Sequence, residues 1–228
     1  MVVVNNMIDV KVLQTNQLFR NFDVETLRDL LQNVPLQQST YTRDQIILEE
    51  GAEVERVGFV LKGALCVTNY TAEGFELNNS YFFAKELFPE YLVFTRMTSF
   101  VYNLVCSENA QVVWMNANQF RDLVHHHTEL SQAMIYYMSC RGYRDQLLLR
   151  CIGYKTIRER LSFWLLGIHQ KDGDYVPIPF SQQILADLIH VSRSSLNHEL
   201  KQLAEEQIVT HDGQFLHIQN RAALSALL

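Results

Sequence analysis

From Ser181 to Leu203 the sequence reads SQQILADLIHVSRSSLNHELKQL, a spacing that lets two short helices present hydrogen-bonding side chains to the edges of base pairs. Ser181 can cap a first helix with Ile184, Leu185 and Leu188 on its inner face, and Ala186 is small enough for a second helix to cross close by. His190-Val191 makes the turn, and Ser192 caps a second helix with Leu196, Leu200 and Leu203 inward. That leaves Arg193, Ser194, Ser195, Asn197, His198 and Lys201 facing outward or at the helix N-terminus. Arginine can bond both major-groove acceptors of guanine at once, Ser, Asn and His can read neighbouring bases or hold phosphate, and a helix N-terminus attracts phosphate by itself. Behind these helices, Ile208 to Ile218 alternates around Asp212-Gly213, a strong hairpin signal. Two capped helices followed by a hairpin make a winged helix-turn-helix.

Other reactive side chains are placed less helpfully. The eight histidines begin at His125, so the first half of the chain has none to ligate haem or a cupin-type metal. His125-His126-His127 would point in different directions on a helix and reads as a solvated helix end. The cysteines, Cys66, Cys106, Cys140 and Cys151, form no CxxC pair, which argues against a zinc ribbon, a thioredoxin-like site or an iron–sulfur cluster and fits free thiols in a reducing cytoplasm. Cys140 could sense redox state near a symmetry mate, although a free cysteine is ordinarily an inert core residue. GxSxG, GxGxxG, HExxH and Walker motifs are all lacking, so an enzyme is not expected.

The elements that would carry the reader follow from the patterning. The 228 residues are 48% hydrophobic and 19% charged, with only 9 Gly and 4 Pro, which excludes a disordered or linker-rich chain; no apolar run reaches the length of a membrane span, and no membrane partner is expected. An amphipathic helix is predicted within 19–36, capped by Asp23 and marked by Leu27, Leu30, Leu31 and Val34. From Tyr41 to Met115, short apolar runs at roughly ten-residue intervals predict an antiparallel barrel or sandwich. From Asn118 to Cys151 the signal is helical almost without interruption. Ala133, Tyr136, Cys140, Tyr143 and Leu147 make one apolar face, and Ile135, Met138, Gly142 and Leu149 another. A helix apolar on two sides needs two partners: the β-domain, and either the same helix of a second subunit or further interior of the same chain.

Charge sets a constraint. The net charge is −6, and from Lys155 to the end seven basic residues face eight acidic ones, so indiscriminate nucleic-acid binding should be weak and specific geometry must supply affinity.

Taken together these residues resemble the Crp/Fnr family of bacterial transcription regulators over nearly the whole chain. GAEVERVGFVLKGALCV (Gly51 to Val67) looks like the opening strands of the family's roll, with Gly51, Gly63 and Gly74 at its turn positions, and Arg193 matches the guanine-reading arginine of its recognition helix. Ser194 stands where many members have glutamate, His198 where the cyclic-AMP receptor has a second arginine, and His190 where a glycine is common, so the DNA sequence read should differ. The resemblance implies an α+β fold: an antiparallel, jelly-roll-like β-roll (1–117), a long dimerisation helix (118–152) and a winged helix-turn-helix (153–228). It further implies a cytoplasmic homodimer bound to a double-stranded operator, with RNA polymerase as partner if it activates.

In the family's phosphate cassette Glu90 falls on the glutamate, but Pro89 replaces the glycine, and Phe100 and Val101 replace the arginine and serine that hold a cyclic phosphate; Asp145 and Gln146 replace the hydroxyl residues that meet adenine. Losing the charge-assisted arginine pair argues against cyclic AMP or cyclic GMP. Phe82, Phe83, Phe88, Tyr91, Phe94, Phe100 and Tyr102, with Glu90, either line an apolar site for an unknown small effector or simply fill the roll. Base contacts are expected from Arg193, Ser194, Asn197 and His198, phosphate contacts from Ser181, Gln183, Ser192, Ser195 and Lys201, and no cofactor or metal. Two rivals stand beside this reading: a protein-interaction module that has kept the fold but lost its operator, and a cupin-like enzyme, which the missing histidines disfavour.

Overall fold

The computed structural model describes residues 2–4, 8–70, 73, 76–170 and 172–228. Gly74 and Lys171 lie outside them. The chain divides into two compact units, Met1–Ser139 and Cys140–Leu228.

The first unit is built on one antiparallel seven-stranded sheet: β1 (Val2–Val4), β2 (Leu36–Tyr41), β3 (Ile46–Leu48), β4 (Arg56–Tyr70), β5 (Glu76–Phe83), β6 (Leu87–Phe88) and β7 (Asn103–Asn116). The path runs β1-β2-β7-β4-β5, with β3 added on β7 and β6 on β4. Strand alternation serves two cores at once. Val57, Phe59, Val113 and Met115 face the helices, where they meet Leu13, Phe19, Leu27, Phe120, Leu130 and Met134. Their neighbours Val60, Val112 and Trp114 point into the roll against Tyr41, Phe82, Phe88, Phe100 and Tyr102. Residues 112 to 115 are therefore buried in succession, as expected where both faces of a sheet are covered.

One expectation is met and two are corrected. The helix sought in 19–36 is α1 (Val24–Leu31), capped as expected by the Asp23 carboxylate, which accepts from Thr26 N at 2.8 Å; Leu36 instead opens β2. Lys62-Gly63 is not a turn between strands but part of the continuous β4. Gly63 has φ 88°, and a Cβ there would collide with the Asn109 carbonyl on β7, so the glycine absorbs a register shift rather than ending the strand. The helical stretch after Asn118 breaks at His127 into α2 (Ala117–His126) and α3 (Thr128–Ile152).

The faces of α3 also differ from the pattern. Leu130, Met134 and Tyr137 join the first unit's core, and the Tyr137 hydroxyl accepts from Leu87 N (3.1 Å) and donates to Leu87 O (3.2 Å). Tyr136 and Tyr143, counted in one of the two apolar faces, are 61% and 68% exposed. Their phenol rings counted as apolar in the pattern, although the hydroxyl tolerates water.

The second unit contains the last turns of α3, α4 (Ile157–Phe163) with a π-helical turn (Trp164–Ile168), β8 (Tyr175–Pro177), α5 (Gln182–Leu188), α6 (Arg193–Glu205), β9 (Val209–His211), β10 (Phe215–Ile218) and α7 (Arg221–Ser225). A capping box starts α4: the Thr156 hydroxyl accepts from Glu159 N, and the Glu159 carboxylate accepts from Thr156 N. Leu161, Trp164, Leu185, Leu196, Leu200, Val209 and Leu216 share one core. None of the described helices is long and apolar enough to cross a membrane.

Candidate nucleic-acid interface

The two reading helices form where the hydroxyl caps stand. Ser181 Oγ accepts from Ile184 N at 3.3 Å to start α5, which buries Ile184, Leu185 and Ala186. The chain leaves α5 through His190 at φ 54°, a left-handed conformation that a glycine would adopt freely and that histidine tolerates better than most residues. Ser192 Oγ then accepts from Ser195 N at 3.0 Å and starts the 13-residue α6.

Leu196, Leu200 and Leu203 anchor α6 in the core, which turns Arg193, Ser194, Asn197, His198 and Lys201 to solvent. Arg193 occupies the first helical position, and no hydrogen bond or ion pair holds it among the described residues. Asn197 lies one turn further along the same face. The serines are tied together: Ser192 Oγ lies 2.9 Å from Ser194 Oγ and 2.8 Å from Ser195 Oγ. Gln183 is exposed, its amide donating to Asp187 Oδ1 at 2.8 Å. Lys201 sits 3.9 Å from Glu205, and the pair is 77% and 67% exposed, so its ammonium remains largely available.

The wing is larger than the sequence suggested. β9 and β10 pair through Leu216↔His211 and Ile218↔Val209 as the Asp-Gly signal requires, but β8 adds a third strand through Leu216↔Val176. Only three residues long and ending in Pro177, β8 carried too little alternation to be read. The wing turn is fixed by Asp212, whose Oδ1 accepts from Gln214 N (2.9 Å) and Phe215 N (2.8 Å); these bonds hold its carboxyl below the usual 3.8.

Two arginines of α4 support the reader, and sequence reasoning missed both because their partners in and around α6 lie 29 to 48 residues away. Arg158 bonds Glu199 at 2.6 Å and grips Glu206 with two parallel bonds of 2.9 and 2.8 Å, which raise its already high pKa. Arg160 donates to backbone carbonyls of Tyr154, Ile189 and His190. Burial pushes the Cys151 thiol up to about 12, while Cys140 is exposed. His126 Nδ1 lies 2.7 Å from the Asp122 carbonyl, and no group of residues able to hold a metal occurs among the described residues.

In the first unit Phe82, Phe88, Phe100 and Tyr102 pack on one another and on Trp114, with ring centroids 5.3 to 5.7 Å apart in the Phe82–Phe88, Phe88–Trp114 and Phe100–Tyr102 pairs. Glu90 is also buried; Phe83 is half-buried and stacked on Tyr81 at 5.9 Å, and Tyr91 is 41% exposed. Phe94 packs instead on the helix-side core, and a cleft of about 1230 Å³ is lined by residues including Glu53, Arg56, Arg96, Trp114 and Arg121 and by none of the eight candidates.

A capped two-helix reader backed by a three-stranded wing, following a β-roll and a long helix, defines the class: a winged helix-turn-helix regulator. Comparison with known proteins agrees. Residues 159–227 match the Crp-like helix-turn-helix domain and residues 38–127 the cyclic nucleotide-binding domain. The global nitrogen regulator of Synechocystis is 23% identical over 193 residues, spanning 82% of this chain and 86% of that protein. Among solved structures, FixK2 from Bradyrhizobium japonicum superposes with TM-score 0.68 at 16% identity, covering 85% of this chain and 97% of the other. A CooA mutant from Carboxydothermus hydrogenoformans superposes with TM-score 0.67 at 14% identity, covering 87% and 89%. The chain belongs to the Crp/Fnr family and is a DNA-binding transcription regulator rather than an enzyme.

Proposed function

We propose that the protein acts as a homodimer that sets one α6 per subunit into the major groove of a pseudo-palindromic operator, the half-sites about one helical turn, roughly 34 Å, apart. The observation that carries this reading is Arg193: exposed, without a hydrogen bond or ion pair among the described residues, and at the first position of a capped helix. In this role Arg193 reads guanine, Ser194, Asn197 and His198 add base contacts, and Ser181, Gln183, Ser192, Ser195 and Lys201 meet phosphates. Ile135 and Leu149, 67% and 57% exposed, support a seam along α3 with Gly142, where a Cβ would meet nothing within 4 Å; Met138, expected in the same face, is half-buried against the first unit's core. The working division of the chain is 1–117 for sensing, 118–152 for dimerisation and 153–228 for DNA, in the cytoplasm.

Cyclic AMP is not the effector in this reading, because Phe100 is spent on packing against Tyr102 where a phosphate-binding arginine would be needed. Another small effector, or a partner such as RNA polymerase, would act by shifting α3 and with it the two readers. The test is selection from random duplexes at low salt together with sedimentation of the purified protein. A dimer enriching a two-part, inverted-repeat sequence is expected. A strict monomer, or no enriched sequence, overturns the reading and leaves the interaction module in its place.

A further inference from the structure

A reader on a winged helix must be aimed as well as shaped, and the bonds around Arg160 bear on the aiming. Arg160 Nε donates to Tyr154 O at 2.8 Å, in the connector just after α3. One terminal nitrogen donates to Ile189 O at 3.2 Å and His190 O at 3.0 Å, in the turn that leads into α6. Its own backbone carbonyl accepts from Cys151 Sγ at 3.2 Å, in the last turn of α3. Only Val191 and Ser192 separate His190 from Arg193. No carboxylate forms an ion pair with Arg160 among the described residues, so its fork is committed to main-chain carbonyls.

The apolar contacts between α3, α4 and the reader are non-directional and can slide. A planar guanidinium holding three carbonyls has one geometry, and the cation sits favourably against the carbonyls that close α5. We infer that Arg160 is the positioning residue that makes α6 follow the end of α3, so that the orientation of the long helix sets the spacing between the two readers. This rests on the dimeric reading proposed above.

The experiment is selection of random duplexes by the full-length protein and by Arg160→Lys and Arg160→Ala, scoring half-site sequence and half-site spacing separately. Wild type should favour one spacing by about tenfold or more over those one base pair longer or shorter, since the readers must match the helical repeat. Both variants should keep the same half-site and bind an isolated half-site within about twofold of wild type, with spacing preference reduced below about threefold. Lysine keeps the charge but lacks the fork, so it guards against a variant that merely unfolds. Sharp spacing retained in Arg160→Lys overturns the proposal. So does loss of the half-site sequence in both variants, which would make Arg160 a stabilising residue of the reader and nothing more. If wild type itself selects no spaced pair, the dimeric reading fails instead, and the two failures stay distinct.

Discussion

The β-roll and the winged helix use their conspicuous side chains in opposite ways. In the roll the aromatics that could line a ligand site are consumed by one another: Phe88 is fully buried, 5.4 Å from Phe82 and 5.3 Å from Trp114 in ring centroids, and a Cβ on Gly58 would strike its ring. In the winged helix the leucines fill the core and Glu199 of α6 is held by Arg158, while Arg193, Asn197 and His198 face water. A side chain held by packing is informative about stability, whereas one left without a partner at a capped helix start is informative about recognition.

The largest effect that would break this contrast is in the roll. Phe88→Ala should cost about 3–5 kcal/mol of stability in denaturant unfolding, because the filled interior cannot collapse around the missing ring, and should leave the selected DNA half-site unchanged. A loss under about 1 kcal/mol would mean that the ring borders open space, which restores an effector cavity at this position.

Next in size is the reader. Arg193→Ala should weaken specific binding by roughly 1–3 kcal/mol per half-site and relax preference at one base pair, with the unfolding midpoint unmoved because the side chain is exposed and makes no hydrogen bond or ion pair among the described residues. Titrations against the selected site and single-base variants measure this. Uniform weakening across all sequences, with a shallower salt dependence, would make Arg193 a phosphate anchor instead.

How far each region was legible follows the same division. The reader was legible because its signals are local: the Ser181 and Ser192 caps, the leucines of α6 and the Asp212-Gly213 turn each act within a few residues. The roll was legible as an antiparallel β-structure but not in its strand ends. Gly63 looks like punctuation in sequence, yet it keeps β4 continuous because the backbone of β7 passes where a side chain would stand. The break at His127 was half legible: His125-His126-His127 read as a solvated helix end, yet the apolar pattern from Asn118 to Cys151 ran on across it. Arg158 and Arg160 were silent because nothing near them in sequence shows that Glu199, Glu206 and the carbonyls of Ile189 and His190 fold back onto α4. The cleft around Arg56, Arg96 and Arg121 was missed because it draws on segments from Pro35 to Arg121.

The smallest effect sharpens the contrast within the winged helix itself, between a polar side chain spent on structure and one left free. Asp212 holds the wing turn through Gln214 N and Phe215 N and lies 3.1 Å from His217 Nε2. The backbone donors keep its carboxyl below the ordinary 3.8. Because the folded value is the lower one, its contribution is fully present above the unfolded pKa and disappears as pH falls through the folded value. Asp212→Asn keeps an oxygen for the turn but has no charge to titrate. Its thermal midpoint should therefore sit slightly below that of wild type near neutral pH, with the gap closing only below about pH 4. A gap that widens on acidification would mean that the carboxylate is a burden in the folded wing, placed there for the duplex rather than for the turn.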